Sequence, residues 1–115
     1  MQNVHTILFL SIFVTAFVLY LAAWWSERKP PKSINNYYGY RTKRSMKSQE
    51  AWDYAQKIAP AEMKKASYIL FGMSVIAYFV KIESEWIIYV LTALIVFLVV
   101  FPIVLIEKKL KAKYP

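Results

Sequence analysis

Apolar and polar positions do not alternate along this chain; they separate into blocks. Residues 4–25, 66–80 and 86–106 are runs of 22, 15 and 21 positions without Asp, Glu, Lys or Arg. Crossing a hydrocarbon core about 30 Å thick takes roughly 20 helical residues, so the first and third runs are long enough alone. The second reaches that length when Ala61 and Met63 extend it backwards, with the stems of Lys64 and Lys65 lying along the apolar region. The pattern therefore predicts an all-α integral membrane protein, a single membrane domain over 1–115 with three transmembrane helices at about 4–25, 61–80 and 86–106. A loop at 26–60 joins spans one and two, and a tail occupies 107–115. Residues 81–85 (KIESE) predict a tight hairpin that leaves spans two and three antiparallel.

The punctuation between the blocks fits this division. Trp24 and Trp25 close the first span, and Trp86 and Tyr89 open the third, at the depth where amphipathic rings prefer to sit. Pro30 and Pro31 stop the first helix. Within the loop, residues 32–44 (KSINNYYGYRTKR) lack apolar periodicity and predict a structured, non-helical segment at the headgroup level. Residues 48–59 regain a helical period. Ser48 is a suitable N-cap with Glu50 in the first turn; Ala51, Trp52, Tyr54, Ala55, Ile58 and Ala59 share one side, opposite Gln49, Glu50, Asp53, Gln56 and Lys57. This predicts a short amphipathic interfacial helix lying on the membrane with the Trp52 indole inserted. Pro60 suits the first turn of a new helix, so a bend is expected at Ala59. In span two, Ser67, Gly72, Ser74 and Ala77 permit close helix approach, and in span three Pro102 is expected to loosen or kink the helix.

Charge adds orientation. Of the 15 Lys and Arg residues, ten fall between the first and second apolar runs, four in the tail and one, Lys81, in the hairpin. Basic loops stay in the cytoplasm, which predicts a multi-pass protein of the cytoplasmic membrane with its N-terminus outside and C-terminus cytoplasmic. The first run lacks a basic flank ahead of it and exceeds the usual signal length, and is expected to be a retained anchor. A net charge of +8 against a membrane points to anionic inner-leaflet lipids as partners rather than nucleic acid.

Candidate chemistry is sparse. No cysteine is present, and no ionisable residue lies in mid-span, where burial is tolerated mainly for function. His5, the single histidine, sits at the outer edge of span one, an interfacial place rather than a metal site. Neither catalysis nor a cofactor is expected. The informative feature is the loop, where Tyr38, Tyr40 and Trp52 accompany Arg41, a side chain able to grip a carboxylate or phosphate with two parallel bonds, and Gly39, which admits backbone shapes other residues resist. Arg41 either ties the loop to Glu50 or Asp53, or receives a ligand or partner.

The segment 30–55, PPKSINNYYGYRTKRSMKSQEAWDYA, resembles the signature of the SdpI-type (SdpI/YfhL) immunity family. The matching positions are Asn35 or Asn36, then Tyr38, Gly39, Tyr40, Arg41 and Thr42, then Ser45 and Met46, and Trp52 and Ala55 on the next helix. Longer members are larger multi-span chains, and this one resembles the signature unit with little added. The resemblance implies a non-enzymatic bacterial protein giving resistance to a secreted membrane-active peptide toxin and holding a cytosolic repressor-like regulator at the membrane. It also implies that Asn35, Asn36, Tyr38, Gly39, Tyr40, Arg41, Thr42, Ser45, Met46 and Trp52 bind a partner or ligand. The alternatives are a small lipid-handling enzyme and an accessory subunit of a membrane complex.

Overall fold

The computed structural model describes residues 4–80 and 84–115, so the expected hairpin falls largely outside the described residues. The described chain is all-α: α1 (Val4–Arg28), α2 (Gln49–Phe79) and α3 (Glu85–Lys113), with α2 packed against both of the others. α1 closes with the Lys29 amide donating to Trp25 O at 2.8 Å, and Pro30 and Pro31 follow at once, as their missing amides require. α2 opens at Ser48, whose backbone is extended (φ −154°, ψ 162°) and whose Oγ accepts from the Ala51 amide at 3.1 Å, so the expected cap is the observed one.

Two helices, α1 and α3, are long and apolar enough to cross a membrane. Their apolar side chains are turned outward: Trp86, Tyr89 and Phe97 are 63%, 72% and 54% exposed, which no helix at the core of a water-soluble domain shows. α1 presents Ile7, Val14 and Val18 to the outside while burying Ile12, Ala16 and Ala23.

The new helix expected to start at Pro60 is not a separate element. α2 runs unbroken for 31 residues with Pro60 inside it, so residues 49–59 are the first part of the long helix and not a separate helix lying on the bilayer. A proline in a helix interior costs about 3 kcal/mol. Here the turns before it are anchored well enough to offset that: Ala55 and Ala59 pack in a cluster with Ile106 and Leu110 of α3, bordered by Tyr40, Tyr54, Ile58 and Tyr114. Pro60 is itself fully buried. Pro102 likewise lies buried inside a continuous α3, which extends past the apolar block to Lys113. Ile106 and Leu110, one turn apart, give that charged extension a buried face.

A second cluster forms farther along α2, where Leu70 and Ala77 meet Ile12 and Ala16 of α1, with Leu8, Leu19, Phe71, Met73, Ile95 and Leu98 around them. Ser67 and Ser74 are buried there, and their hydroxyls donate to Lys64 O and Phe71 O, each at 2.7 Å within their own helix. Aromatic rings line the α1–α2 seam, including Phe13 against Phe71 at 5.4 Å and His5 against Tyr78 at 6.5 Å.

Candidate functional site: the loop platform

The loop between α1 and α2 is built by side chains that bond to backbone. Asn35 begins it: Oδ1 accepts from the amides of Tyr37 (2.8 Å) and Tyr38 (3.0 Å), while Nδ2 donates to Ser33 O (3.0 Å). This is the local turn that Asn favours. Tyr38 then ties back to the end of α1 by donating its hydroxyl to Lys29 O at 3.0 Å. Arg41 Nη1 donates to Asn36 O at 2.5 Å, and among the described residues Arg41 pairs with no carboxylate. Of the two alternatives, the tie to Glu50 or Asp53 is not formed: Arg41 holds a backbone carbonyl, and Asp53 accepts from Gln49.

Gly39 has φ +101°, and a Cβ built on it would lie 2.6 Å from Pro31 Cγ and 2.8 Å from Gln56 Oε1. Conformation and space both exclude any side chain here. The close approach lets Gln56 clasp the next residue from both sides: Oε1 accepts from the Tyr40 amide (2.8 Å) and Nε2 donates to Tyr40 O (2.7 Å). The buried Ser45 Oγ accepts from the Thr42 amide at 2.8 Å, and the Ser45 amide donates to Thr42 Oγ1 at 3.2 Å. This reciprocal pair closes a turn whose last bond runs from the Met46 amide to Thr42 O (3.0 Å).

Trp52 is fully buried and donates its indole Nε1–H to Pro31 O at 2.8 Å. It joins α2 to the chain leaving α1 and does not enter lipid, contrary to expectation. Gln56, expected on the polar face, is 6% exposed. Its signal was present in the sequence, since Trp52, Ala55, Gln56 and Ala59 fall on one stripe at helical spacing and a carboxamide there needs partners.

The platform reaches α3 as well. Tyr40 donates its hydroxyl to Glu107 Oε1 at 3.0 Å, and Arg44 Nε lies 3.6 Å from Glu107 Oε2. Burial first, and then the bond to Glu107, push the Tyr40 phenol well above its ordinary pKa, so it remains a donor at any physiological pH. Glu62, 4% exposed, accepts from Lys109 at 2.6 Å and links α2 to α3 beside it, while Lys64 pairs with Glu27 of α1. Asn35, Asn36, Tyr38, Gly39, Tyr40, Arg41, Thr42, Ser45 and Trp52 thus belong to one bonded structure, with Met46 contributing its amide. Gln56, Pro31 and Glu107 are the members that the sequence reading missed. Among the described residues no group of three His, Asp or Glu side chains is placed to hold a metal ion.

Two apolar, outward-facing helices tied together by α2 and a hydrogen-bonded loop platform define a helical membrane protein. The chain belongs to the SdpI/YfhL protein family, whose description it matches over residues 32–106, from the platform through the apolar part of α3. It is also 43% identical over 47 residues to the uncharacterized protein YfhL of Bacillus subtilis (strain 168), a stretch covering 41% of this chain and 43% of that relative. The match therefore spans less than half of the relative's length. No solved structure matches the chain.

Proposed function

We propose that this chain is a multi-pass protein of the bacterial cytoplasmic membrane that protects its host from a secreted membrane-active peptide. The observation that carries the reading is the family membership, which covers the platform and its flanking helices together. In this reading α1 and α3 cross the bilayer, and the apolar part of α2 crosses between them. Residues 61–79 are about 28 Å long at the helical rise, close to the hydrocarbon thickness. The ten basic residues around the platform and the four in the tail place both on the cytoplasmic side, beside anionic lipid headgroups, with the N-terminus outside. The first turns of α2 then stand out of the membrane as a stalk bearing the platform. A second role, holding a cytosolic regulator, is favoured by Tyr37, 86% exposed at the platform's tip, where an aromatic ring is available to a protein partner.

The test is survival of a peptide-sensitive bacterium expressing the chain, beside Arg41→Ala and Tyr37→Ala at equal membrane levels, with a pull-down of cytosolic proteins from each strain. Protection by the wild type is expected. Absence of protection together with an empty pull-down refutes the reading.

A further inference from the structure

Under the platform, between α1 and α3, lies a cleft of about 550 Å³. Leu19, Ala22 and Trp25 of α1 form one wall, Val99 and Ile103 of α3 the other, and Met63 of α2 the back. Residues 38–42 are the roof. The volume lies within the range of small-molecule sites, about 300–1,000 Å³. α1 and α3 pack on α2 at this level, and Trp25, Val99 and Ile103 remain exposed, so the cleft opens sideways on the flank these helices turn outward.

The lining is chemically one-sided. It is largely apolar and contains no Asp or Glu. Its polar roof is mostly committed: Tyr38 donates to Lys29 O, Tyr40 to Glu107, and Gln56 is engaged at both ends by the Tyr40 backbone. Arg41 is the exception. One of its amino groups holds Asn36 O, its side chain is exposed, and among the described residues no carboxylate neutralises it. A guanidinium has five donors in a planar fork that suits phosphate. A cation at the rim of an apolar cleft, with no acid in the lining, complements a molecule with an anionic head and a hydrocarbon chain.

We propose that this cleft binds one anionic phospholipid, its phosphodiester against Arg41 and an acyl chain between α1 and α3. The assignment rests on the topology given above, which sets the platform at headgroup depth. The bilayer supplies such a molecule at high local concentration, through the sideways opening and without passage through water.

The purified full chain in nanodiscs of equal phosphatidylglycerol and phosphatidylcholine is released into the gas phase, and retained lipid is identified by native mass spectrometry. The wild type is expected to retain phosphatidylglycerol in preference by up to about tenfold, because both lipids carry the phosphodiester but the choline ammonium of phosphatidylcholine sets a like charge beside Arg41. Arg41→Gln should erase the preference, and Ala22→Phe, which fills the cleft, should lower retention of both lipids. Near-UV circular dichroism confirms that each variant is folded. Equal retention by the wild type, an unchanged preference in Arg41→Gln, or full retention by Ala22→Phe overturns the proposal. So does capture of an added amphipathic peptide with no lipid selected, which assigns the cleft to peptide. Because the sequence has no cysteine, Lys43→Cys labelled from either side of the membrane tests the topology separately. Labelling from outside with lipid selectivity intact overturns the topology and leaves the lipid site standing.

Discussion

Along residues 49–62, α2 is held by directional bonds from Trp52, Gln56 and Glu62 to named partners on the loop and α3, whereas along 66–77 it is held by small side chains that let α1 come close. On the topology proposed above, the two halves follow the solvents they meet. Near water, apolar burial and hydrogen bonds both stabilise, so the platform can use a large indole and a carboxamide. Between lipid tails, apolar contact gains little over lipid, and close packing of Ala16, Ser67, Ser74 and Ala77 is the available source of cohesion. Polar groups there are satisfied within their own turn, as the two serines are.

This contrast predicts a gradient of mutational effects, readable as shifts in SDS-titration unfolding followed by near-UV circular dichroism. Trp52→Ala should cost the most, about 3–5 kcal/mol, because it opens a cavity and leaves Pro31 O without its donor. Trp52→Phe, which retains most of the packing, should lose about 1–2 kcal/mol. An Ala cost below that of Phe would mean that the platform does not depend on the indole. Gly39→Ala should cost about 2–3 kcal/mol, since positive φ and the contacts to Pro31 and Gln56 both oppose the methyl group.

The effect of pH is smaller. With its folded pKa raised, Tyr40 is protonated in both states below pH of about 10 and contributes no slope there. Above that value the unfolded chain releases the proton first, so stability should fall by up to about 1.4 kcal/mol per pH unit. Tyr40→Phe removes this slope; an identical alkaline profile in the variant would show the phenol is not held. Ser74→Ala should change stability least, within about 0.5 kcal/mol, because its hydroxyl serves only its own helix. A larger loss would mean that Ser74 also serves α1, and would blur the distinction between the two halves.

Much of this was legible in the sequence. The apolar helices α1 and α3, the stop at Pro30 and Pro31, and the Ser48 cap follow from local rules that need no tertiary information. That the loop is a structured, non-helical segment was legible too, through Asn35, Asn36 and Gly39. What local rules missed depends on partners far along the chain. Pro60 reads as a break until Ile106 and Leu110 are known to clamp the turns before it, and Trp52 reads as a lipid anchor until Pro31 is known to offer a carbonyl. Gln56 reads as a polar-face residue, and is buried because Tyr40 meets it across 16 positions of sequence.

The unbroken path of α2 through Pro60 gives the molecule a lever. A hinge at that residue would let the apolar part tilt while the platform stayed still. Because the turns on both sides of Pro60 belong to one helix about 46 Å long at 1.5 Å per residue, a 5° tilt about its Phe79 end would carry Gln49 through about 4 Å. Any reorientation of the helix among its neighbours is thereby amplified at its Gln49 end, where Gln49 holds the backbone of Lys32 in the loop.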